Sequence, residues 1–480
     1  MQPIARDFEA APGRRVFCNR TLNMRAIQAI GFDMDYTLVH YDVHQWEARA
    51  YAHVQNKLLA RGLPVQDLRF DPDLFTRGLI VDVQTGNVVK ANRFGYVVRA
   101  SHGTRLLAHD EQRAVYSQVW VDLRDPRWMF LNTLFSLSEA CLYGQLVDLM
   151  DAGRIPRTGY DACYELVRDT IDAAHLEGEL KAEIIADPER FVELDPLLPR
   201  ALLDLQQAGK RLFLATNSEW HYTMPMMEYT FDRYLGGGSW RDLFELIVVQ
   251  SRKPSFFDGN AEFVEVLDDS GRESPGPVPL RKGARFRGGN AQLVQDWLGI
   301  GGESILYVGD HVYADVHVSS RIRRWRTALV LRELEEEIAA EHAFVEDQRT
   351  LVLMMQQKER LEREQCLLRL ALARHEHGAP PPPELPADAT TQSMQERLRV
   401  LRQEGEALDV GIGPLAARAS GLTNERWGPL MRAGNDKSQL ARQIEGHADI
   451  YTSRVSNLLH LTPFGYLRAA RGSLPHDPRA

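Results

Sequence analysis

The stretch Ile30-Gly31-Phe32-Asp33-Met34-Asp35-Tyr36-Thr37-Leu38 decides the fold. It follows a short apolar alternation, Ala26, Ile27, Ala29 and Ile30, that predicts a buried strand, so both carboxylates fall where a parallel strand ends and its loop begins. Open α/β sheets keep their ligand sites at that end of the strands. Two acids one residue apart on an extended backbone point in different directions, which lets one attack a substrate while the other handles its proton. Both can also face a divalent cation, one by carboxylate and one by backbone carbonyl. On its own, Asp-x-Asp reads equally well as a solvated turn. What the other strand ends supply decides between the two.

Outward from that strand, Gln45 to Leu59 has helical periodicity. Gly78 to Val98 reads as successive short strands, with turns at Thr85-Gly86-Asn87 and near Gly95. Trp128 to Met150 predicts one long apolar helix and Tyr160 to His175 another. A βα rhythm then resumes: helix Leu197 to Ala208, strand Arg211 to Ala215, and further apolar strands at Leu243 to Val249, Ser304 to Val308 and Thr327 to Leu331. Such alternation predicts an α/β fold with a doubly wound, mostly parallel sheet. Residues 1–60 and 187–332 are expected to form its core, with 61–186 inserted as an α+β cap. Asp258 to Arg287, rich in Gly, Pro and charge, predicts a surface excursion or hairpin. Residues 333–425 predict long helices around the stiff linker Pro380 to Pro383, including one from Met394 to Leu408, and 426–480 a C-terminal segment packed on the core.

At 480 residues, with 44% hydrophobic and 26% charged side chains, the composition is that of a globular protein of several domains. A net charge of −9 argues against nucleic acid or an acidic membrane as the main partner, so an anionic substrate would need local cations or a metal. Four scattered cysteines, Cys18, Cys141, Cys163 and Cys366, fit a reducing compartment, and no run reaches membrane-spanning length. A cytoplasmic location is the expectation.

Three later strand ends carry complementary groups. Thr216-Asn217-Ser218 offers hydroxyl, amide and backbone N–H donors suited to phosphate oxygens, although the same residues often only cap a helix. Lys253, in Arg252-Lys253-Pro254, can neutralise charge on a transferring phosphoryl group. Gly309-Asp310-His311 and Asp315 place carboxylates suited to Mg²⁺, which prefers oxygen ligands.

In that order the four pieces resemble the motifs of the haloacid dehalogenase-like phosphotransferases. Longer strings, among them Arg15-Val-Phe-Cys-Asn-Arg20, Phe130-Leu-Asn-Thr-Leu-Phe135, Arg252-Lys-Pro-Ser-Phe-Phe257 and Pro463-Phe-Gly-Tyr-Leu-Arg-Ala-Ala470, are similar to the cytosolic purine 5′-nucleotidases, which dephosphorylate IMP and GMP. The resemblance implies Asp33 as the nucleophile that forms an aspartyl-phosphate and Asp35 as the acid and base. It implies Mg²⁺ held by Asp33, Asp310 and the Asp35 carbonyl with Asp315 orienting that shell, and a phosphate clamp of Thr216, Asn217, Ser218 and Lys253; His311 is structural. In the cap, Arg168, Asp172 and His175 recur at i, i+4 and i+7 with Lys181 beyond. Spacing alone favours a surface salt-bridge ladder; the resemblance makes these four the purine and ribose-phosphate contacts and Phe135 the base-stacking ring. Ser136 stands where the family has Asn.

Family members are often activated by purine nucleotides at a second site. Asn132 and Gln443 match it, but Gly446, His447, Phe130 and Asp122 do not, and a basic contact has become Asp122, so altered or absent activation is expected. The expected function is a Mg²⁺-dependent purine 5′-nucleotidase, able in principle to pass its phosphoryl group to a nucleoside, and a homo-oligomer (dimer or tetramer) as in the family. The alternatives are a phosphatase for another phosphomonoester and a catalytically silent scaffold of the same fold.

Overall fold

In the computed structural model, which describes residues 10–176, 178–386 and 388–470, seven parallel strands form the centre of a ten-stranded sheet among the described residues. Their spatial order is Ile450–Thr452, Arg326–Val330, Ile305–Gly309, Ala29–Phe32, Arg211–Ala215, Leu246–Val249 and Ala284–Gly288. Val16–Cys18 closes one edge antiparallel to Ile450–Thr452. Phe263–Val266 and Glu273–Pro277 close the other, also antiparallel.

Alternate residues of the central strands feed two separate apolar layers, as the period of two requires. Ile30, Phe32, Leu212, Leu214, Leu306 and Val308 join Trp46 of helix Val43–Ala60, Leu202 of helix Leu198–Gln207 and Met227 of helix Trp220–Phe231. Ala29, Phe213, Ala215, Ile305 and Tyr307 join Val294 of helix Ala291–Leu298 and Val318 of helix Val318–Arg323 on the opposite face. Helices therefore cover both faces, and the sheet is doubly wound and mostly parallel, as expected. Gly31 is required at the centre: a Cβ there would lie 2.2 Å from Phe213 Cζ.

A second, antiparallel sheet of five strands lies within residues 80–130, in the order Arg105–Leu106, Val97–His102, Asn87–Ala91, Ile80–Asp82 and Trp128–Phe130. Trp128 to Phe130 thus pair as a strand, and the helix expected from Trp128 starts only at Leu137. Aromatic residues suit a pleated surface, and the Thr133 hydroxyl, accepting from Phe135 N–H at 3.4 Å, marks the turn between strand and helix.

The segment 258–287 is likewise more ordered than its composition suggests. Its hairpin and the Ala284–Gly288 strand extend the main sheet, because Phe263, Ala284 and Phe286 bury one face while charged neighbours face out.

Residues up to 336 and from 430 onward form one compact unit; 337–429 form another. In the second, helices Val345–Glu376 and Thr391–Ser420 run antiparallel, with Leu368, Ala371, Met394 and Leu401 along their seam. Ion pairs Asp347 to Arg418 (2.6 Å), Lys358 to Asp409 and Glu364 to Arg397 (2.7 Å) fix that direction. The later helix runs well past Leu408, through Pro414. Among the described residues no helix is long and apolar enough to cross a membrane.

Candidate active site

Four loops at the carboxyl ends of adjacent parallel strands converge. Asp33 follows Ala29–Phe32, Thr216 follows Arg211–Ala215, Lys253 lies beyond Leu246–Val249 and Asp310 follows Ile305–Gly309. Backbone bonds continue the ladder into these loops: Asp33 N–H donates to Val308 O at 2.8 Å and Thr216 N–H to Val248 O at 2.9 Å.

Lys253 is the electrostatic centre. Its buried ammonium lies 2.7 Å from Asp33 Oδ1 and 2.7 Å from Asp315 Oδ1, and donates to the Tyr307 hydroxyl at 3.2 Å. Burial opposes the charge, but Asp315 and Asp33 outweigh it and hold the ammonium well above its ordinary value. Asp33 is pushed well above the carboxylate range by burial, with Lys253 pulling the other way. Burial raises Asp310 to about 7, against the attraction of Arg77 and Lys253.

Asp33, Asp310 and Asp315 bring one oxygen each within 4.8 Å of one another. Asp310 Oδ2 is buried and has no hydrogen-bond partner among the described residues. A dry, all-oxygen set of three carboxylates facing a single ammonium has negative charge to spare, and that fits a hard divalent cation such as Mg²⁺.

Asp35 stands apart. Its Oδ1 accepts from Tyr41 OH at 2.6 Å and its Oδ2 from Ser218 Oγ at 2.7 Å. Asn217 holds the lysine loop, accepting from Lys253 N–H at 2.6 Å and donating to Lys253 O at 3.1 Å. Thr216 is buried, and its hydroxyl accepts from Ser218 N–H at 3.0 Å. His311 Nδ1 accepts from Ala314 N–H at 2.9 Å, and burial lowers the ring to about 4, so it is neutral and serves the turn.

The inserted segment reaches the same loops. Phe135 packs on Tyr36 with ring centres 4.6 Å apart and on Trp46 at 5.4 Å. Arg168 and Asp172 are exposed on helix Tyr160–Leu176, where both act electrostatically on Glu139. Lys181 pairs with Glu219 at 2.6 Å. The His175 side chain lies outside the described residues.

Sequence reasoning missed Arg77. This buried guanidinium donates from Nη2 to Asp310 O and from Nε to Asn132 O at 2.9 Å, tying the Asp310 loop to the approach to Phe135. No local signal marks it, since Thr76-Arg77-Gly78 reads as an ordinary turn. Tyr41, between His40 and Asp42, was equally unmarked. Asn132, Phe130, Asp122, Gln443 and His447 line one cavity of about 610 Å³; Gly446 is not among its lining residues.

An aspartate at a parallel strand end, bridged by a buried lysine to a carboxylate cluster on a neighbouring strand, is a set of groups chemically suited to phosphoryl transfer. The 5′ nucleotidase family model matches residues 16–479. The chain belongs to the 5′-nucleotidase family, and so to the phosphoric monoester hydrolases. It is 27% identical over 478 residues to a 5′-nucleotidase domain-containing protein of Dictyostelium discoideum, covering 96% of this chain and 74% of that one. It is 29% identical over 342 residues to human 5′-nucleotidase domain-containing protein 2, covering 67% and 64%. Among solved structures, the beta-phosphoglucomutase of the hyper-thermophilic archaeon Pyrococcus sp. overlaps 64% of this chain and 87% of its own at 11% identity, with a TM-score of 0.30.

Proposed function

We propose that this chain is a Mg²⁺-dependent 5′-nucleotidase for purine nucleoside monophosphates of the IMP and GMP class, and that a nucleoside can replace water as the final phosphoryl acceptor. The observation that carries the reading is the Lys253 bridge between Asp33 and Asp315 beside the unpartnered oxygen of Asp310.

Asp33 would attack phosphorus, forming a new P–O bond while the P–O5′ bond breaks, and Asp35 would give its proton to the departing 5′-oxygen. Asp35 would then take a proton from water as the water oxygen attacks phosphorus and Asp33 leaves as a carboxylate. Lys253, with donors of the Thr216 to Ser218 loop, would neutralise charge spread over the phosphoryl oxygens. Asp33 and Asp310, with Asp315 beside them, would hold Mg²⁺, which when bound offsets the repulsion between phosphate and nucleophile. Phe135, next to the catalytic loop, supports a stacking site for the base, with Arg168, Asp172, His175 and Lys181 as its polar rim.

Phosphate release from a panel of nucleoside monophosphates and sugar phosphates, with Mg²⁺ or with a chelator, tests this. IMP and GMP should lead and chelation should abolish release. Equal rates on sugar phosphates would replace this substrate class by another phosphomonoester, and no release from any substrate would point to a silent scaffold.

A further inference from the structure

Asp35 lies two residues from Asp33, yet its carboxylate is not among the three that converge within 4.8 Å. A carboxylate so close to a dication site would ordinarily swing in to bind it, and would then be lost to proton transfer. Something must hold it out.

Both of its oxygens are engaged by hydroxyls from other parts of the chain. Tyr41 OH donates to Oδ1 at 2.6 Å, a charge-assisted length, and Ser218 Oγ donates to Oδ2 at 2.7 Å. Tyr41 OH in turn accepts from Tyr222 OH at 3.0 Å, so its own proton is committed to Asp35. Both phenols are buried, at 0% and 2% exposure, where no solvent competes. Tyr41 is also fixed mechanically. Its ring packs between Tyr36 at 5.3 Å and Trp46 at 4.5 Å, and its backbone pairs with Val192 in a short antiparallel ladder. Tyr222 comes from the helix that follows the Thr216 loop, so two strand-end loops meet at this hydroxyl pair.

We propose that Tyr41, backed by Tyr222, is a positioning residue that holds the Asp35 carboxyl group clear of the metal cluster and in line with the leaving oxygen, to which its acid form gives its proton, leaving the carboxylate that these hydroxyls stabilise. This rests on the nucleotidase reading given above. Neither tyrosine need touch substrate, and the step affected is departure of the 5′-oxygen, where a displaced acid costs most for a poor leaving group.

Tyr41→Phe keeps the ring and removes only the hydroxyl. The test is kcat/KM, which covers the steps up to departure of the alcohol, measured with Mg²⁺ on IMP and on p-nitrophenyl phosphate, whose leaving group needs little protonation. With IMP the variant should lose about 10- to 100-fold, and with p-nitrophenyl phosphate it should stay within about threefold. Tyr222→Phe should show the same selectivity with a smaller loss. Mn²⁺ bound to the variant without substrate, followed by electron paramagnetic resonance, should show a changed ligand set as Asp35 swings in. Equal losses on both substrates, or no loss on either, would overturn the positioning role in an active wild-type protein. A wild-type protein inactive on all nucleoside monophosphates would instead overturn the underlying function.

Discussion

Replacing Lys253 by Met removes the ammonium that lies 2.7 Å from both Asp33 and Asp315 while keeping much of the side-chain volume. At an effective dielectric of about 20, each contact carries about 6 kcal/mol of attraction. Desolvation of the three charges offsets most of this, and losing one partner of a buried pair costs about 3–5 kcal/mol. The loss depends on pH, because carboxyls deprived of their cation can take up protons. It should therefore be largest at pH 8 and shrink towards pH 5. Chemical denaturation of the metal-free protein, followed by tryptophan fluorescence, measures this; every tryptophan except Trp427 lies in the larger unit. With Mg²⁺ and IMP, turnover should fall by about 10²–10³-fold, the usual result of removing one preorganised stabilising group. A variant as stable as wild type at pH 8 that keeps more than about a tenth of its turnover would refute this account of the lysine.

Glu47 is buried and accepts from Ser138 N–H at 2.7 Å, and burial pushes its carboxyl up to about 7. The fold retains a proton that the unfolded chain has already released, so this contribution is present below about pH 4.5 and lost as pH rises to about 7, a change of about 3 kcal/mol. Glu47→Gln should flatten that part of the pH–stability curve; a wild-type-to-variant difference independent of pH would contradict it. In the cavity that holds Asn132 and Gln443, Asp122 pairs with Arg124, whose Nη2 lies 2.6 Å away, and so takes up one of the three lining arginines, Arg124, Arg321 and Arg442, that a phosphate would need. ATP or dATP should change the rate of IMP hydrolysis by less than about twofold, and strong stimulation would show that the cavity still accepts a nucleotide.

The βα rhythm and the acid, hydroxyl and lysine signals at strand ends were legible because a parallel sheet forces them to one edge. Asp33, Thr216, Lys253 and Asp310 each follow an apolar strand of the chain's alternation, so order alone suggested that they meet. Arg77 was not legible, since its hydrogen bonds go to backbone carbonyls of Asn132 and Asp310, which carry no side-chain signature, and its ion-pair partner Glu333, 3.6 Å away, is remote in the sequence. Nor was Tyr41, whose hydroxyl matters only after the loop folds back on Asp35. Trp128 to Phe130 looked helical because apolar residues run on into a true helix; only pairing with Ile80 to Asp82 makes them a strand. In the 258–287 segment the hairpin was legible; glycine, proline and charge hid only that it and the Ala284–Gly288 strand join the main sheet through the burial of Phe263, Ala284 and Phe286.

Acid quenching during turnover, followed by peptide mass analysis, puts the phosphorylated aspartate to the question most directly. A phosphoryl group from IMP should appear on the peptide that carries Asp33 and be absent from the Asp33→Asn variant, which should release no phosphate. Undiminished phosphate release by that variant, or a phosphoryl group found on any other residue, would contradict the mechanism at its root.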